Sequence, residues 1–363
     1  MTLQERIPVM VTGIGGGGHG EQILKALRLA RTPYEIVGSD MSPVSSGLAA
    51  VDHPYLLPPA SDADYLPALL AVCRKHGVRA LFHGSEPELR VMSARRDEIR
   101  AAGIFLPINP PEVIDVCMDK ARTMDTLGKL GFSVPASRRV RTLEDALDFG
   151  HLPAVLKPSV GGGGSSHTTI VQTEGELVCA ATQMLAHLPE FLIQAYVGNV
   201  DQEYTVGVLS DMDGRFLNSI AVRRAILSSL SNSLKTPNRT SNSTLGPVLA
   251  ISSGVSQGEI GPFPEVTRPC EVLAAALGAK GPMNVQCRVV QGSVFVFEIN
   301  PRFSGTTSLR AMVGFNEPDT LIRRHILNEH ISPRFPFRSG IIMRGLSETL
   351  VAEGGFPDAR ALI

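Results

Sequence analysis

Residues 284–305, NVQCRVVQGSVFVFEINPRFSG, constrain this chain more than any other stretch. Two short apolar runs flank Gln291, Gly292 and Ser293, the pattern of a β-hairpin. A two-residue loop would pair Val285 with Glu298 and Gln286 with Phe297, mixing polar and apolar side chains on both faces. A three-residue loop with glycine in the left-handed position pairs Asn284 with Asn300, Gln286 with Glu298 and Arg288 with Val296. The other face then holds Val285 with Ile299, Cys287 with Phe297 and Val289 with Phe295. Only this second register separates an apolar face from a polar one, so it is the one the sequence predicts.

The polar face ends in oxygen ligands. Glu298 and Asn300 stand about 7 Å apart at roughly 3.4 Å per residue, with Gln286 opposite Glu298. A carboxylate and two amide oxygens suit Mg²⁺ better than zinc. One carboxylate flanked by amides can bridge a pair of ions about 3.5–4 Å apart. Pro301 stops the strand, and the Arg302 guanidinium can reach a phosphoryl oxygen. An ordinary Asn-Pro turn would carry the same residues, so the rest of the chain has to decide.

At 363 residues, with 43% hydrophobic and 19% charged, the chain can bury a full core and form two or three subdomains. A net charge of −1 gives no global attraction to nucleic acid or an anionic membrane. The five cysteines are scattered and form no CxxC, which favours reduced thiols over disulfides or zinc. The N-terminal apolar run is too short for a signal peptide, and no stretch is long enough to span a bilayer. A cytoplasmic, soluble protein is expected.

From the N-terminus the chain alternates strand and helix. Residues 7–12 form a strand, a glycine-rich turn follows, residues 21–29 have helical spacing, and residues 35–38 form a strand before Asp40. Gly13, Gly15 and Gly18 fit GxGxxG, the outline of a dinucleotide site. A turn this rich in glycine equally fits an α/β sheet that binds no nucleotide. Helices over 64–76, 86–102 and 110–130 and a strand over 78–83 complete a small open parallel sheet up to about residue 110. Ser85 reads either as part of a ligand loop at a strand end or as a helix cap.

Lys157 ends the next strand and precedes Ser159, Val160, four glycines and two serines. Backbone N–H groups without Cβ atoms can approach phosphate oxygens, and the lysine adds a point charge. The order differs from GxxxxGK[ST], and a flexible linker would look similar. Residues 192–209 read as strand, bend and strand, with Glu203 heading the second. The bend could present backbone groups to a base edge, and the carboxylate could hold a ribose. The Ser/Thr/Asn-rich run after Arg223 and Arg224 has little apolar surface and reads as a surface loop or as a lid over an acidic substrate.

Taken together, Asp119-Lys120, Lys157-Pro158 with its glycines, residues 192–203, Gln286 and Glu298-Ile299-Asn300-Pro301-Arg302 resemble the ATP-grasp superfamily, in particular ligases like the carbamoyl phosphate synthetase large chain. The resemblance implies an N-terminal Rossmann-like parallel sheet over 1–110, then an ATP-grasp fold of two α+β subdomains over 111–200 and 201–363. By that likeness Lys120 and Lys157 contact ATP phosphates, and Gly163 and Gly164 belong to a lid. Ala195 and Val197 meet adenine through their backbones, Ala195 standing where the family often has glutamate, and Glu203 takes the ribose. Gln286, Glu298 and Asn300 hold two Mg²⁺ ions, for which Mn²⁺ could substitute, with Arg302 beside the transferred phosphoryl group. Arg223 and Arg224 are expected to grip the acidic substrate.

The implied reaction is ATP-dependent joining of a carboxylate, such as an amino acid, to an amine, with ADP and phosphate released. Small-molecule substrates and a homodimer, with neither nucleic acid nor membrane, are the expected partners. An NAD(P)-dependent oxidoreductase built on residues 13–40 and a carboxylase or carbamoyl-type ATP-grasp enzyme are the alternatives.

Overall fold

The computed structural model describes residues 6–161, 167–349 and 355–363. The first sheet is parallel, built from β1 (Ile7–Val11), β2 (Tyr34–Asp40), β3 (His53–Leu56) and β4 (Ala80–Phe82) in the order β3-β2-β1-β4. Its central strands are buried, as parallel strands covered on both faces require. The glycine turn leads into the helix His19–Arg28. Asp40 folds back on this turn, its Oδ2 accepting the Gly15 N–H at 2.8 Å and its Oδ1 the Ser42 N–H at 2.9 Å. In a dinucleotide site that acid would face a ribose, whereas here it closes its own loop.

Two helices expected to be continuous are broken. The first splits at Arg95 into Glu86–Ala94 and Arg96–Ala101, and Ser85 caps its start by accepting the Glu88 N–H. The second splits into Pro111–Cys117 and Lys120–Lys129. Asp119 between them is extended (φ −111°, ψ 108°), and its carboxylate accepts the Arg122 N–H at 3.1 Å and the Ser159 hydroxyl at 2.6 Å. An aspartate that satisfies free amides starts a new helix more readily than it continues an old one. Lys120 is thereby fixed as the first residue of that helix.

The second sheet is antiparallel: β5 (Ser137–Val140), β6 (Ala154–Pro158), β7 (Thr169–Val171) and β8 (Phe191–Ala195) in the order β5-β8-β6-β7. β9 (Glu203–Ser210), β10 (Phe216–Arg224), β13 (Gly258–Gly261), β14 (Pro282–Val290), β15 (Ser293–Asn300) and β16 (Gly340–Ile342) form the third, in the order β15-β14-β9-β10-β13-β16. Between β10 and β13 the hydroxyl-rich run forms β11 (Asn232–Pro237) and β12 (Val248–Ser252), a two-stranded sheet. This corrects the loop reading. The run does not fold on its own apolar surface: Leu234, Leu245, Leu249 and Ile251 pack against Ile170 and Tyr196 of the second sheet and its exit.

The helices Pro111–Cys117, Lys120–Lys129 and Pro264–Ala276 join Val206, Val285, Val296 and Ile299 in the core under the third sheet. The helix His19–Arg28 packs on Thr307–Met312 and Glu317–His325, which joins the first sheet to the third. Arg310 is fully buried among these layers. It pairs with Glu317 at 3.1 Å and donates to Asn284 Oδ1 at 2.7 Å. Its path crosses Gly207 of β9, where a Cβ would lie 2.3 Å from Arg310 Nη1. Among the described residues no helix is long and apolar enough to cross a membrane.

The hairpin obeys the expected register at one end only. Asn284 faces Asn300, Val285 faces Ile299 and Gln286 faces Glu298. Beyond a β-bulge the pairing becomes Cys287 with Val296, Arg288 with Phe295 and Val290 with Ser293. The turn is Gln291-Gly292, both with positive φ (50° and 80°), as a two-residue hairpin turn demands. Phe297 is the extra residue. The bulge sends both Val296 and Ile299 into the core, while Phe297 and Glu298 both line the cleft on the other side. Strict alternation, assumed in reading the sequence, had placed Phe297 in the core.

Candidate functional site

A cleft lies between the second sheet and the β14–β15 hairpin. Lys120, Lys157, Ala195, Val197, Glu203, Gln286 and Glu298 all line it. A second, polar cavity adjoins it and shares Lys120, Gln286 and Glu298, adding Arg224, Asn300 and Arg302. Gly163 and Gly164 lie outside the described residues.

Lys157 ends β6 and is buried, with Nζ donating to Gln194 Oε1 at 2.9 Å and to the Phe297 carbonyl at 3.1 Å. The bulge supplies that carbonyl. Burial lowers the Lys157 pKa to about 8, with Glu298 opposing the shift and Lys120 adding to it. Lys120 Nζ donates to the Gly161 carbonyl at 3.0 Å. For Glu298, burial favours the neutral acid, yet Lys120, Lys157, the Asn300 amide and Arg302 outweigh it and hold the carboxyl below its ordinary value.

Glu298 Oε1 accepts from Gln286 Nε2 at 3.3 Å and Asn300 Nδ2 at 3.2 Å. The amide oxygens turn outward, Gln286 to Arg224 at 3.5 Å and Asn300 to Arg302 at 3.0 Å. An oxygen-only set of one carboxylate and two amides fits Mg²⁺, and rotating each amide end for end brings its oxygen beside the carboxylate. Arg302 also pairs with Glu86 at 2.8 Å, tying the helix after β4 to the hairpin.

Glu203 is gripped on both oxygens. Arg224 Nη1 reaches Oε1 at 3.3 Å, while Arg288 Nε and Nη2 reach Oε2 at 3.0 and 2.9 Å. All three side chains are almost wholly excluded from solvent. Arg288 also donates to the Val197 carbonyl at 3.1 Å and lies over the Tyr196 ring, 4.4 Å from its centre. Glu203 therefore presents only its remaining lone pairs to the cleft. Arg224 stands between the two cavities, held by Glu203, Ser252 and the Ser253 carbonyl.

Arg223 is not brought to the site. Adjacent residues on a strand face opposite ways, and its exposed guanidinium pairs with the exposed Glu259 at 2.5 Å. An exposed pair contributes about 0–1 kcal/mol. Arg223→Ala is thus expected to leave turnover unchanged within about twofold and to shift the unfolding free energy by less than about 1 kcal/mol, read by denaturant titration.

Phe297, Arg288 and Glu86 are site residues that the sequence reading did not assign. Four consecutive apolar residues, Val294 to Phe297, on a strand with one polar face were the available signal for a bulge, and with it for Phe297. Arg288 stood on the expected polar face of the hairpin, in line with Gln286 and Glu298.

Three layers, a cleft between two antiparallel sheets and a cluster of side-chain oxygens on the last hairpin give this chain the fold of solved ATP-grasp proteins. Residues 11–107 match the family described as PylC-like, N-terminal domain, and residues 252–348 match ATP-grasp in the biosynthetic pathway with Ter operon. The carbamoyl phosphate synthase large chain of Thermoanaerobacter pseudethanolicus is 28% identical over 205 residues, 54% of this chain and 17% of that one. The chain thus spans less than a fifth of that relative's length. Among solved structures, an ADP complex of N5-carboxyaminoimidazole ribonucleotide synthetase superposes with a TM-score of 0.64 at 17% identity, covering 93% of this chain and 82% of the other. The L-amino acid ligase of Bacillus licheniformis gives 0.59 at 16% identity, covering 88% and 74%.

Proposed function

We propose that this chain is an ATP- and Mg²⁺-dependent ligase that joins a carboxylate to an amine and releases ADP and phosphate. The observation that carries the reading is the convergence of Lys120, Lys157 and Arg302 on Glu298, between two sheets in a cleft whose other wall is apolar. The base lies against Val155, Ile251 and the bend at 195–197, and the ribose meets Glu203. Lys120 and Lys157 hold the phosphates. Gln286, Glu298 and Asn300 hold Mg²⁺, which neutralises charge on the transferred group when bound. Arg302 leaves Glu86 to contact the phosphoryl oxygens.

In the first step a carboxylate oxygen of the acid attacks the γ-phosphorus. The bond to the β,γ-bridging oxygen breaks, and its electron pair leaves with ADP. In the second the amine nitrogen attacks the acyl carbon, phosphate departs with the C–O electrons, and the nitrogen loses a proton. The chain's residues contribute position and charge rather than a covalent nucleophile.

MgATP at a hundredfold excess over its Kd is expected to stabilise the fold by about 2.7 kcal/mol, seen as a rise in Tm, and turnover should yield ADP and phosphate. NAD⁺ should give no rise. A rise with NAD⁺ alone, or AMP and pyrophosphate as products, would refute the reading.

Nucleotide affinity should also depend on pH. With a pKa of about 8, Lys157 is an ammonium ion below pH 8 and increasingly neutral above it. Affinity for MgATP is expected to be flat below about pH 8 and to fall up to tenfold per unit above it. Calorimetric titration across pH 6.5–9.5 (on the order of three units) reads this directly, and Lys157→Arg should move the break out of range because a guanidinium stays charged.

A further inference from the structure

The cavity beside the metal-ligand face differs sharply from the nucleotide cleft. Val155, Ile251 and Phe297 give the cleft an apolar wall. Among the side chains lining the second cavity, none is aliphatic or aromatic. Its far wall is made of Ser252, Ser253, Ser256, Ser304 and Thr306, with glycines at 254 and 305. Thr205 and Arg310 both donate to Asn284 Oδ1, at 2.8 and 2.7 Å, which leaves the Asn284 NH₂ on the opposite side of the amide. Arg224 brings a buried guanidinium to the wall, and its Nε has no partner among the described residues.

Two segments of the cavity's lining also come into contact. A Cβ on Gly305 would lie 2.8 Å from the Gly254 carbonyl oxygen, so the two walls touch there. Arg344 bridges them from behind, donating to the Ser256 and Gly305 carbonyls. A ligand extending past Glu298 into this cavity therefore meets side chains that can hydrogen-bond.

Resting on the ligase reading, we propose that the acid activated by this chain is small and hydrophilic, carrying a hydroxyl, amide or second carboxylate next to its reacting carboxylate, and that Arg224 and the serine-rich wall select it. An aliphatic side chain in this cavity would leave the Asn284 NH₂ and the Arg224 Nε without partners. A site built to hydrogen-bond its substrate rejects an isostere that lacks the polar group by far more than an apolar pocket can discriminate.

The test uses isosteric pairs. Threonine against valine, and asparagine against leucine, are offered as the acid with MgATP, and hydroxylamine serves as the amine so that any acyl phosphate is trapped as a hydroxamate. Malate and 3-hydroxybutyrate extend the series to acids without an α-amine. Release of ADP with hydroxamate is expected to favour the polar member of a pair by at least about 100-fold in kcat/KM. The MgATP thermal shift is measured first on the same preparation. Absence of that shift would overturn the ligase reading itself. A normal shift with equal or faster turnover of valine or leucine would overturn the substrate class alone, as would a normal shift with no response to any polar acid. Arg224→Lys should raise KM for the acid more than tenfold, and a KM unchanged for the acid would remove Arg224 from its selection.

Discussion

Glu298→Ala is expected to abolish turnover, with a loss of at least about 1000-fold, or ~4 kcal/mol of transition-state stabilisation. Glu298 is the carboxylate that contacts both Gln286 and Asn300 and lies among the Lys120, Lys157 and Arg302 cations. Without it the residues proposed to hold Mg²⁺ would be two neutral amides, while the cations would stay in place to repel the ion. Glu298→Gln should be nearly as severe, since a neutral amide would hold a divalent cation less well than a carboxylate. Asn300→Ala should be milder. Steady-state ADP release at saturating Mg²⁺ measures all three, and more than a tenth of wild-type activity in Glu298→Ala would disprove the metal assignment.

The largest effect on stability is expected from Glu203→Ala. Arg224 and Arg288 converge on this one carboxylate, and all three are buried. Removing one member of a buried pair costs about 3–5 kcal/mol, because the opposite charge is left without compensation. Here two guanidiniums would face each other. Chemical denaturation should show the loss as a lower midpoint with an unchanged slope, and a change below about 1 kcal/mol would mean that solvent reaches the cluster. Arg224→Ala should cost less, because Arg288 remains on Glu203. It should nevertheless weaken MgATP as well as the acid, since Arg224 holds Glu203, the residue proposed to meet the ribose. From the sequence alone, Arg224 was expected to act on the acid.

The sequence carried the site further than it carried the layers around it. The place of Lys157 at a strand end was legible because an apolar run leads into it and a glycine run follows. Gln286, Glu298 and Asn300 were legible because their end of the hairpin keeps the two-residue period. Phe297 was not, because a bulge changes the phase and leaves only an apolar run as its trace. Arg223 and Arg224 were indistinguishable in sequence, and the side-to-side alternation of one strand separated a surface ion pair from a buried clamp. The hydroxyl-rich run misled for another reason: its few leucines find their partners on Ile170 and Tyr196, far away in the chain. Low local apolarity says nothing about a surface supplied by another layer.

The extra residue in β15 has one more effect, on tolerance to movement. A regularly alternating strand offers a cleft every second side chain, so an aromatic contact and a charged ligand would stand two residues apart or come from different strands. The bulge makes them chain neighbours, Phe297 and Glu298. Their separation is then set by a single peptide unit and does not vary when the second and third sheets shift against each other. The Phe297 carbonyl holding Lys157 spans the two sheets, so the lysine, ring and carboxylate share one anchor while the surrounding layers breathe.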